Sequence, residues 1–181
     1  SRSTEMAEPC IDWILVMRTI LRISDVYYPS DHERLRAVDE PIFVVEQRCP
    51  AEEEWDALDR LSAHALVVNE SGEPVATGRL TPDHKIGRMA VLMDYRGTGV
   101  GAMIMEHLIA KARTLGYSEL ALSSQVHAIP FYARFGFIAD GPEYMDANIP
   151  HRMMQRPLPT TTSTGLLAFN RAAAARVTAM D

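Results

Sequence analysis

Residues 88–101 read Arg88-Met-Ala-Val-Leu-Met-Asp-Tyr-Arg96-Gly-Thr-Gly-Val-Gly101. An apolar stretch typical of a β-strand runs into a short turn, and one arginine and three glycines then open a long amphipathic segment. A glycine-rich turn at the start of a helix presents several unpaired backbone N–H groups and the positive end of the helix dipole. The stretch therefore predicts a binding site for a phosphate or diphosphate group.

The glycines also allow other interpretations. They could simply form a turn, or they could bind a dinucleotide, because Gly97 to Ala102 fits the relaxed Gly-x-Gly-x-x-Ala fingerprint. A dinucleotide site normally follows the first strand of a doubly wound sheet, whereas here several predicted elements come earlier. No acid ends the next predicted strand, where Ser123-Ser124-Gln125 stands instead. A P-loop is excluded, since no Gly-Lys-Ser/Thr closes the run.

The remaining pattern predicts a mixed sheet with flanking helices. A helix links the strand Ile86–Met93 to Leu120–Ser124, so these two strands should be parallel. The segment 43–47 is either helical or extended. The other predicted strands are Thr19–Val26, His64–Asn69, Pro74–Leu80 with a bulge at Gly78, Phe137–Asp140 and His151–Arg156. Four helices are predicted. The first, 31–38, follows a Ser30/Glu33 capping box and is ended or kinked by Pro41. A long helix begins at Val100, buries Ile104, Leu108, Ala112 and Leu115, and stops at Gly116. The other two are short, at 50–55 and 128–135.

Composition limits the class of protein. Lys and Arg total 18 against 24 Asp and Glu, a net charge of −6, which argues against nucleic-acid binding. The two cysteines are far apart in sequence, which is typical of reduced thiols. The apolar run 13–17 is too short to cross a membrane, and no signal peptide is visible. These features predict a cytoplasmic protein without a membrane span. No pair of the six histidines has metal-ligand spacing with a supporting acid or cysteine, so no metal is predicted.

The chain divides into four predicted parts. Residues 1–18 are an N-terminal extension, in which 1–5, before Met6, have the look of a cloning remnant. Residues 19–156 form the domain. Residues 157–165, rich in Pro and Thr, have linker composition, and 166–181 form an alanine-rich helical tail. The apolar positions of that tail are compatible with a contact between two copies of the chain in a homodimer.

A second motif, Phe131-Tyr132-Ala-Arg-Phe-Gly136-Phe137, follows the glycine-rich turn. The order Arg-x-x-Gly-x-Gly, helix, strand and Tyr-x-x-x-Gly-Phe resembles the Gcn5-related N-acetyltransferases (GNAT), which move an acetyl group from acetyl-CoA to an amine. The stretches Phe43-Val-Val-Glu46-Gln47 and Ile149-Pro150-His151 are similar to the ElaA-like bacterial acetyltransferases. The resemblance implies an α/β (α+β) fold, with a mixed, mostly antiparallel sheet that has a central parallel splayed strand pair and flanking helices.

The resemblance also implies a set of site residues. Tyr132 would protonate the departing CoA thiolate. The backbone N–H of Val91, freed by a strand bulge, would face the thioester oxygen. Contacts to acetyl-CoA are expected from Met89, Ala90, Val91, Arg96, Gly97, Thr98, Gly99, Val100, Gly101 and Tyr132.

The sequence does not identify the acceptor molecule or the residue that acts as the base. A primary amine of a small molecule or peptide must lose a proton before it attacks, and Glu46, His127 and His151 are candidates for removing it. Glu46 and His127 join Tyr132 and Val91 as the predicted catalytic residues. Two other functions are alternatives to acetyl transfer. One is a sensor or degenerate acetyltransferase that binds CoA without transferring the acetyl group. The other is a nicotinamide-dependent oxidoreductase.

Overall fold

The structure is a computed structural model that describes residues 20–46 and 58–159. The predicted extension, the helix at 50–55, most of the linker and the tail helix lie outside the described residues. The strands are β1 (Arg22–Val26), β2 (Ala63–Val68), β3 (Pro74–Leu80), β4 (Ile86–Val91), β5 (Glu119–Gln125), β6 (Ile138–Asp146) and β7 (Ile149–Pro157). The helices are α1 (Tyr28–Asp39), a π-helical segment (Glu40–Glu46), α2 (Val100–Thr114) and α3 (Ile129–Ala133), with 3-10 turns at Met93–Tyr95 and Val126–Ala128.

The strands form two antiparallel sheets that meet at β4 and β5. The first sheet has the order β1-β2-β3-β4, and the second has the order β5-β7-β6. One parallel bridge, between Lys85 and Ala121, joins them, and Ala121 N–H donates to the His84 carbonyl at 3.0 Å. Beyond this bridge β4 and β5 separate. The predicted fold class, a mostly antiparallel sheet with a splayed parallel pair, is confirmed.

The predicted bulge at Gly78 is present, and its extra residue lies on β4. The pairing register shifts between Thr77 and Arg79, so Arg88 and Met89 together face Gly78. Arg88 adopts a left-handed φ of 48° there. A Cβ on Gly78 would overlap with the Ile104 side chain. The glycine is therefore required by the close approach of α2 to β3.

Helix α2 buries the face that its periodicity predicts. Val100, Ile104, Leu108 and Ala112 lie in the main core. The prediction that Leu115 continues this face is wrong: the residue follows the last turn of α2 and is exposed. The chain reverses at Gly116, which has a φ of 77°.

The start of α1 and its predicted cap differ from the structure. Helix α1 begins at Tyr28 rather than at 31, and Ser30 does not cap it: Asp31 accepts a hydrogen bond from Tyr27 N–H at 3.3 Å. Pro29 explains the earlier start, because proline suits the first turn of a helix. The helix ends at Asp39, before Pro41, and the chain then continues as the π-helical segment rather than as an extended one.

The last strand pair is longer than predicted. Strands β6 and β7 form a hairpin whose two turn residues, Ala147 and Asn148, both have positive φ. Without glycine or aspartate in that turn, the sequence carries a weak hairpin signal. Within 20–46 and 58–159, no helix has the length and apolarity needed to cross a membrane.

Candidate functional site

The glycine-rich turn leads directly into α2. Gly97 and Gly99 have φ values of 75° and 87°, and Gly99 is the N-cap of the helix. The first backbone bond at this end runs from Met103 N–H to the Gly99 carbonyl at 3.1 Å. Within the described part of the chain, the backbone N–H groups from Gly97 to Ala102 have no acceptor. The turn therefore presents a row of unpaired donors at the positive end of a fifteen-residue helix.

A cavity of about 730 Å³ opens beside this turn, and we refer to it as the loop cavity. Its charged lining residues, among those described, are Arg96 and Arg134, and no acid lines it. Such a lining suits an anionic ligand. Arg134 was missed from the sequence, although it lies two residues after Tyr132 in the quoted motif. The cavity is lined by Met89, Val91, Tyr95, Arg96, Gly97, Gly99, Gly101, Ala102, Ala128, Phe131, Tyr132 and Arg134.

Arg96 joins the turn to the π-helical segment. Its Nε donates to the Val91 carbonyl at 2.9 Å, and one Nη donates to both carboxylate oxygens of Glu46, at 2.8 and 3.1 Å. Both side chains are partly exposed. Glu46 lines neither this cavity nor the one described below. The predicted base Glu46 therefore forms an ion pair with Arg96, the arginine predicted to bind the diphosphate.

The hydrogen bonds of β4 fix which of its main-chain groups face the gap. Leu92 N–H donates to the Val75 carbonyl at 3.0 Å, and Ala90 pairs with Thr77 in the same register. Because main-chain groups alternate along a strand, those of Ala90 point to β3 and those of Val91 point towards β5. The Val91 N–H thus faces the splayed gap, whereas Ala90 is buried. The prediction that a bulge frees this N–H is wrong: the bulge lies at Arg88 and Met89, and Val91 is in regular register with Ala76.

A second cavity, of about 380 Å³, lies on the other side of the gap beside the β6–β7 hairpin, and we call it the hairpin cavity. Three residues, Met89, Ala128 and Tyr132, line both cavities. The hairpin cavity is lined by Phe43, Ile86, Gly87, Arg88, Met89, Leu122, Ser123, Gln125, Ala128, Tyr132, Asp146, Ala147, Ile149 and His151.

Tyr132 is the titratable residue at the junction of the two cavities. It lies on α3, where its ring meets Phe131 edge to face at 5.0 Å between centroids. Burial raises the pKa of Tyr132 to about 12. Its hydroxyl has no hydrogen-bond partner among residues 20–46 and 58–159. It is therefore a protonated phenol available to a bound molecule.

Besides Glu46 and Ala90, three more of the predicted site residues line neither cavity. His127 is exposed on the 3-10 turn before α3 and lines neither cavity, contrary to its expected place in the cleft. The Thr98 hydroxyl donates to the Tyr95 carbonyl at 2.6 Å, and the Val100 side chain is in the core. Only the backbone N–H groups of Thr98 and Val100 are in a position to serve a ligand at the turn.

The fold and the two cavities define a GNAT-type acyltransferase architecture, and the family comparison agrees. A family model described as an acetyltransferase (GNAT) domain matches residues 39–158. The chain belongs to this family.

Individual relatives support the same assignment. The chain is 40% identical over 123 residues to the uncharacterized N-acetyltransferase YjcF of Bacillus subtilis, covering 66% of this chain and 87% of YjcF. An acyl-CoA N-acyltransferase from Pseudomonas aeruginosa superposes with a TM-score of 0.68 at 30% identity, covering 75% of this chain and 99% of the other. Escherichia coli ElaA superposes with a TM-score of 0.67 at 28% identity, with coverage of 75% and 99%.

Proposed function

We propose that the protein transfers the acetyl group of acetyl-CoA to a primary amine of a small molecule or peptide, by direct attack with both substrates bound. The observation that carries this proposal is the position of Tyr132, a protonated phenol lining both cavities at once. One cavity would hold the thioester and the other the amine, so that the two meet beside the residue able to donate a proton. We also propose that the reaction takes place in the cytoplasm, which the sequence predicts.

The loop cavity fits the diphosphate of CoA. Backbone N–H groups from Gly97 to Ala102 would donate to phosphate oxygens, and Arg134 adds positive charge. Arg96 would join them if phosphate oxygens displaced Glu46 from its guanidinium. In support, a GNAT-family acetyltransferase from Elizabethkingia anophelis was solved with acetyl-CoA bound, and it shares this fold at a TM-score of 0.55.

Main-chain groups of β4 would hold the acyl arm in the gap. The Val91 N–H faces away from β3 and would donate to the thioester carbonyl oxygen. A donor fixed in advance stabilises the negative charge that develops on this oxygen as the amine attacks. Met89 lines both cavities and would contact the same arm, while Ala90 would support it only from within the sheet.

Tyr132 would donate its proton to the CoA sulfur as the carbon–sulfur bond breaks. A raised pKa keeps the phenol protonated at neutral pH, which an acid requires before the step. The amide nitrogen loses a proton as the new bond forms, and that proton would restore the phenol. Glu46, His127 and His151 are the candidates predicted from the sequence for the earlier deprotonation of the amine.

The test is Tyr132→Phe, assayed by thiol release from acetyl-CoA with a panel of small amines, amino acids and peptides. We expect turnover to fall by about 100-fold or more, the scale of general acid catalysis, with acetyl-CoA affinity unchanged. Tyr117→Phe is the matched control, because Tyr117 stacks on His84 and lines neither cavity.

The outcomes separate the candidate functions. Acetyl-CoA binding by calorimetry without transfer to any amine of the panel would favour a CoA-binding sensor. Full turnover in Tyr132→Phe would remove the phenol from the mechanism. Stabilisation by NAD and not by CoA in a thermal melt would instead favour the oxidoreductase.

A further inference from the structure

His151 lies on the central strand of the second sheet, where β5 leaves β4. In the register of that sheet it pairs with Gln125 on β5 and with Tyr144 on β6. Its side chain lines the hairpin cavity and is 8% exposed. The residue therefore belongs to the cavity that would hold the amine, although it was only one of three open candidates in the sequence.

The hydrogen bond at Nδ1 fixes the tautomer of the neutral ring. His151 Nδ1 lies 2.7 Å from the carbonyl oxygen of Ile149. A carbonyl can only accept, so Nδ1 carries the hydrogen and Nε2 carries the lone pair. No group within the described ranges bonds to Nε2. The backbone thus presents His151 to the cavity as a proton acceptor.

Neighbouring side chains hold the ring in place. The His151 and Tyr144 rings stack at 6.0 Å between centroids and 24° between planes. The Tyr144 hydroxyl is hydrogen-bonded to Ser123 on β5 and donates to the Met153 sulfur at 3.4 Å. The Tyr144 ring on β6 and the Ile149 carbonyl on β7 therefore orient the imidazole, and Ser123 on β5 holds Tyr144.

The other titratable groups of the cavity are less suited to accept a proton. Arg88 is a cation held by the buried Asp59, and Tyr132 is needed as the acid. Asp146 is exposed at the hairpin rim. Carboxylates are weaker bases than imidazole, so Asp146 is better suited to attract an ammonium group than to deprotonate it.

We propose that His151 is the general base of the reaction, and that its Nε2 removes the proton from the acceptor ammonium before attack. This rests on the proposed function. The first proton goes to Nε2, which becomes part of an imidazolium and later releases it to solvent. The freed amine forms the carbon–nitrogen bond, Tyr132 protonates the leaving sulfur, and the second proton of the nitrogen restores the phenol. Glu46 is then an ion-pair partner of Arg96 and not a base, and His127 has no role in the chemistry.

The kinetic test compares His151→Asn with the parent protein. Asparagine retains a donor near the Nδ1 position for the Ile149 carbonyl but cannot accept a proton at neutral pH. We expect a loss of about 100-fold in turnover near neutral pH, a shift of the acidic limb of the pH profile up to the pKa of the free amine, and unchanged acetyl-CoA affinity. The loss should shrink as the pH rises, because more amine is then already deprotonated. A structural defect would give a loss that does not depend on pH.

Two probes of similar size sharpen this comparison. Ethylamine is almost fully protonated at neutral pH, whereas trifluoroethylamine is a far weaker base. The variant should be impaired with ethylamine and close to the parent with trifluoroethylamine. Equal impairment with both probes would overturn the proposal, as would the same pH-dependent loss in His127→Asn or Glu46→Gln. His32→Asn, outside both cavities, is the control for substitution of a histidine as such.

A spectroscopic test needs no acceptor and separates this inference from the proposed function. Long-range proton–nitrogen NMR spectra, assigned by comparison with His151→Asn, report the tautomer of the neutral ring. We expect the hydrogen on Nδ1. A hydrogen on Nε2 would contradict the inference even if acetyl transfer is observed, whereas absence of transfer with the expected tautomer would contradict the proposed function alone.

Discussion

The ion pair between Arg96 and Glu46 joins two residues with different predicted roles: Arg96 was predicted to bind CoA, and Glu46 to act as the base. Both were predicted to belong to the site, but fifty positions separate them, and their contact depends on how the π-helical segment packs beside β4. Charged pairs of this kind leave no periodic signal in a sequence. The contact suggests that Glu46 competes with the CoA diphosphate for the guanidinium.

Glu46→Gln is therefore predicted to strengthen CoA binding by about two- to five-fold, since a half-exposed ion pair contributes at most about 1 kcal/mol. Calorimetric titration with CoA measures the change, and turnover should remain near that of the parent. Glu40→Gln is the control, because Glu40 pairs with Arg36 on the surface. Unchanged affinity together with a large loss of turnover would instead assign the base to Glu46, as the sequence suggested.

The phenol of Tyr132 leads to a prediction about alkaline pH. Burial raises its pKa to about 12, so the folded protein keeps the proton that an unfolded chain would lose near pH 10. Ultraviolet titration of the folded protein should therefore show one tyrosine that ionises above pH 11, absent in Tyr132→Phe. The stability linked to this proton is complete below about pH 10 and is lost as the pH rises towards 12. Ionisation near pH 10 would mean that the phenol is not buried.

At the level of elements, the close contact of α2 with β3 depends on the absence of a side chain at Gly78. A Cβ on Gly78 would overlap with Ile104, whereas a Cβ on Gly87 in the neighbouring strand would meet nothing within 4 Å. Gly78→Ala is predicted to lower the free energy of unfolding by about 1–3 kcal/mol, the usual scale of overpacking. Gly87→Ala should change it little. Urea denaturation of both variants measures the difference, and equal effects would contradict the proposed packing.

The sequence predicted the elements best where the signal is local. The glycine-rich turn, the buried face of α2 and the strands around them follow from periodicity and turn residues. The start of α1 and the β6–β7 hairpin were placed less well. Pro29 shifts the helix start by three residues, and the turn at Ala147 and Asn148 has no glycine to mark it. Position in the hairpin, not local sequence, brings His151 to the cavity.

At the scale of the whole molecule, a buried charged cluster ties the bulged strand to the rest of the first sheet. Asp59 is 0% exposed and lies 2.8 Å from an Nη of Arg79 and 3.4 Å from Nε of Arg88. Its carbonyl accepts a hydrogen bond from Nε2 of His64 at 2.7 Å. No motif in the sequence predicts this cluster, because its members come from a loop and three strands that only the fold brings together.

His64 gives the molecule an acid-sensitive contribution to stability. Burial lowers its pKa below the ordinary value of 6.5, against the hydrogen bond and charge of Asp59, which raise it. The unfolded chain therefore takes up this proton first, so the contribution is complete above pH 6.5 and declines as the pH falls towards the folded-state pKa.

We expect the free energy of unfolding, measured by urea denaturation, to drop by on the order of 1 kcal/mol between pH 7.5 and 5.5. His64→Gln should reduce that drop, while His32→Gln should leave it unchanged. A slope unaffected in His64→Gln would show that another group is responsible.

The central claim is that the turn from Arg96 to Gly101 binds the diphosphate of CoA, and one calorimetric titration tests it most directly. Gly99→Glu places a carboxylate in the loop cavity, and Gly116→Glu places the same charge at a similar positive φ beyond the other end of α2. Both substitutions should reduce thermal stability to a similar degree. We predict that CoA binding is lost in Gly99→Glu and retained in Gly116→Glu; retained binding in a folded Gly99→Glu protein would contradict the account.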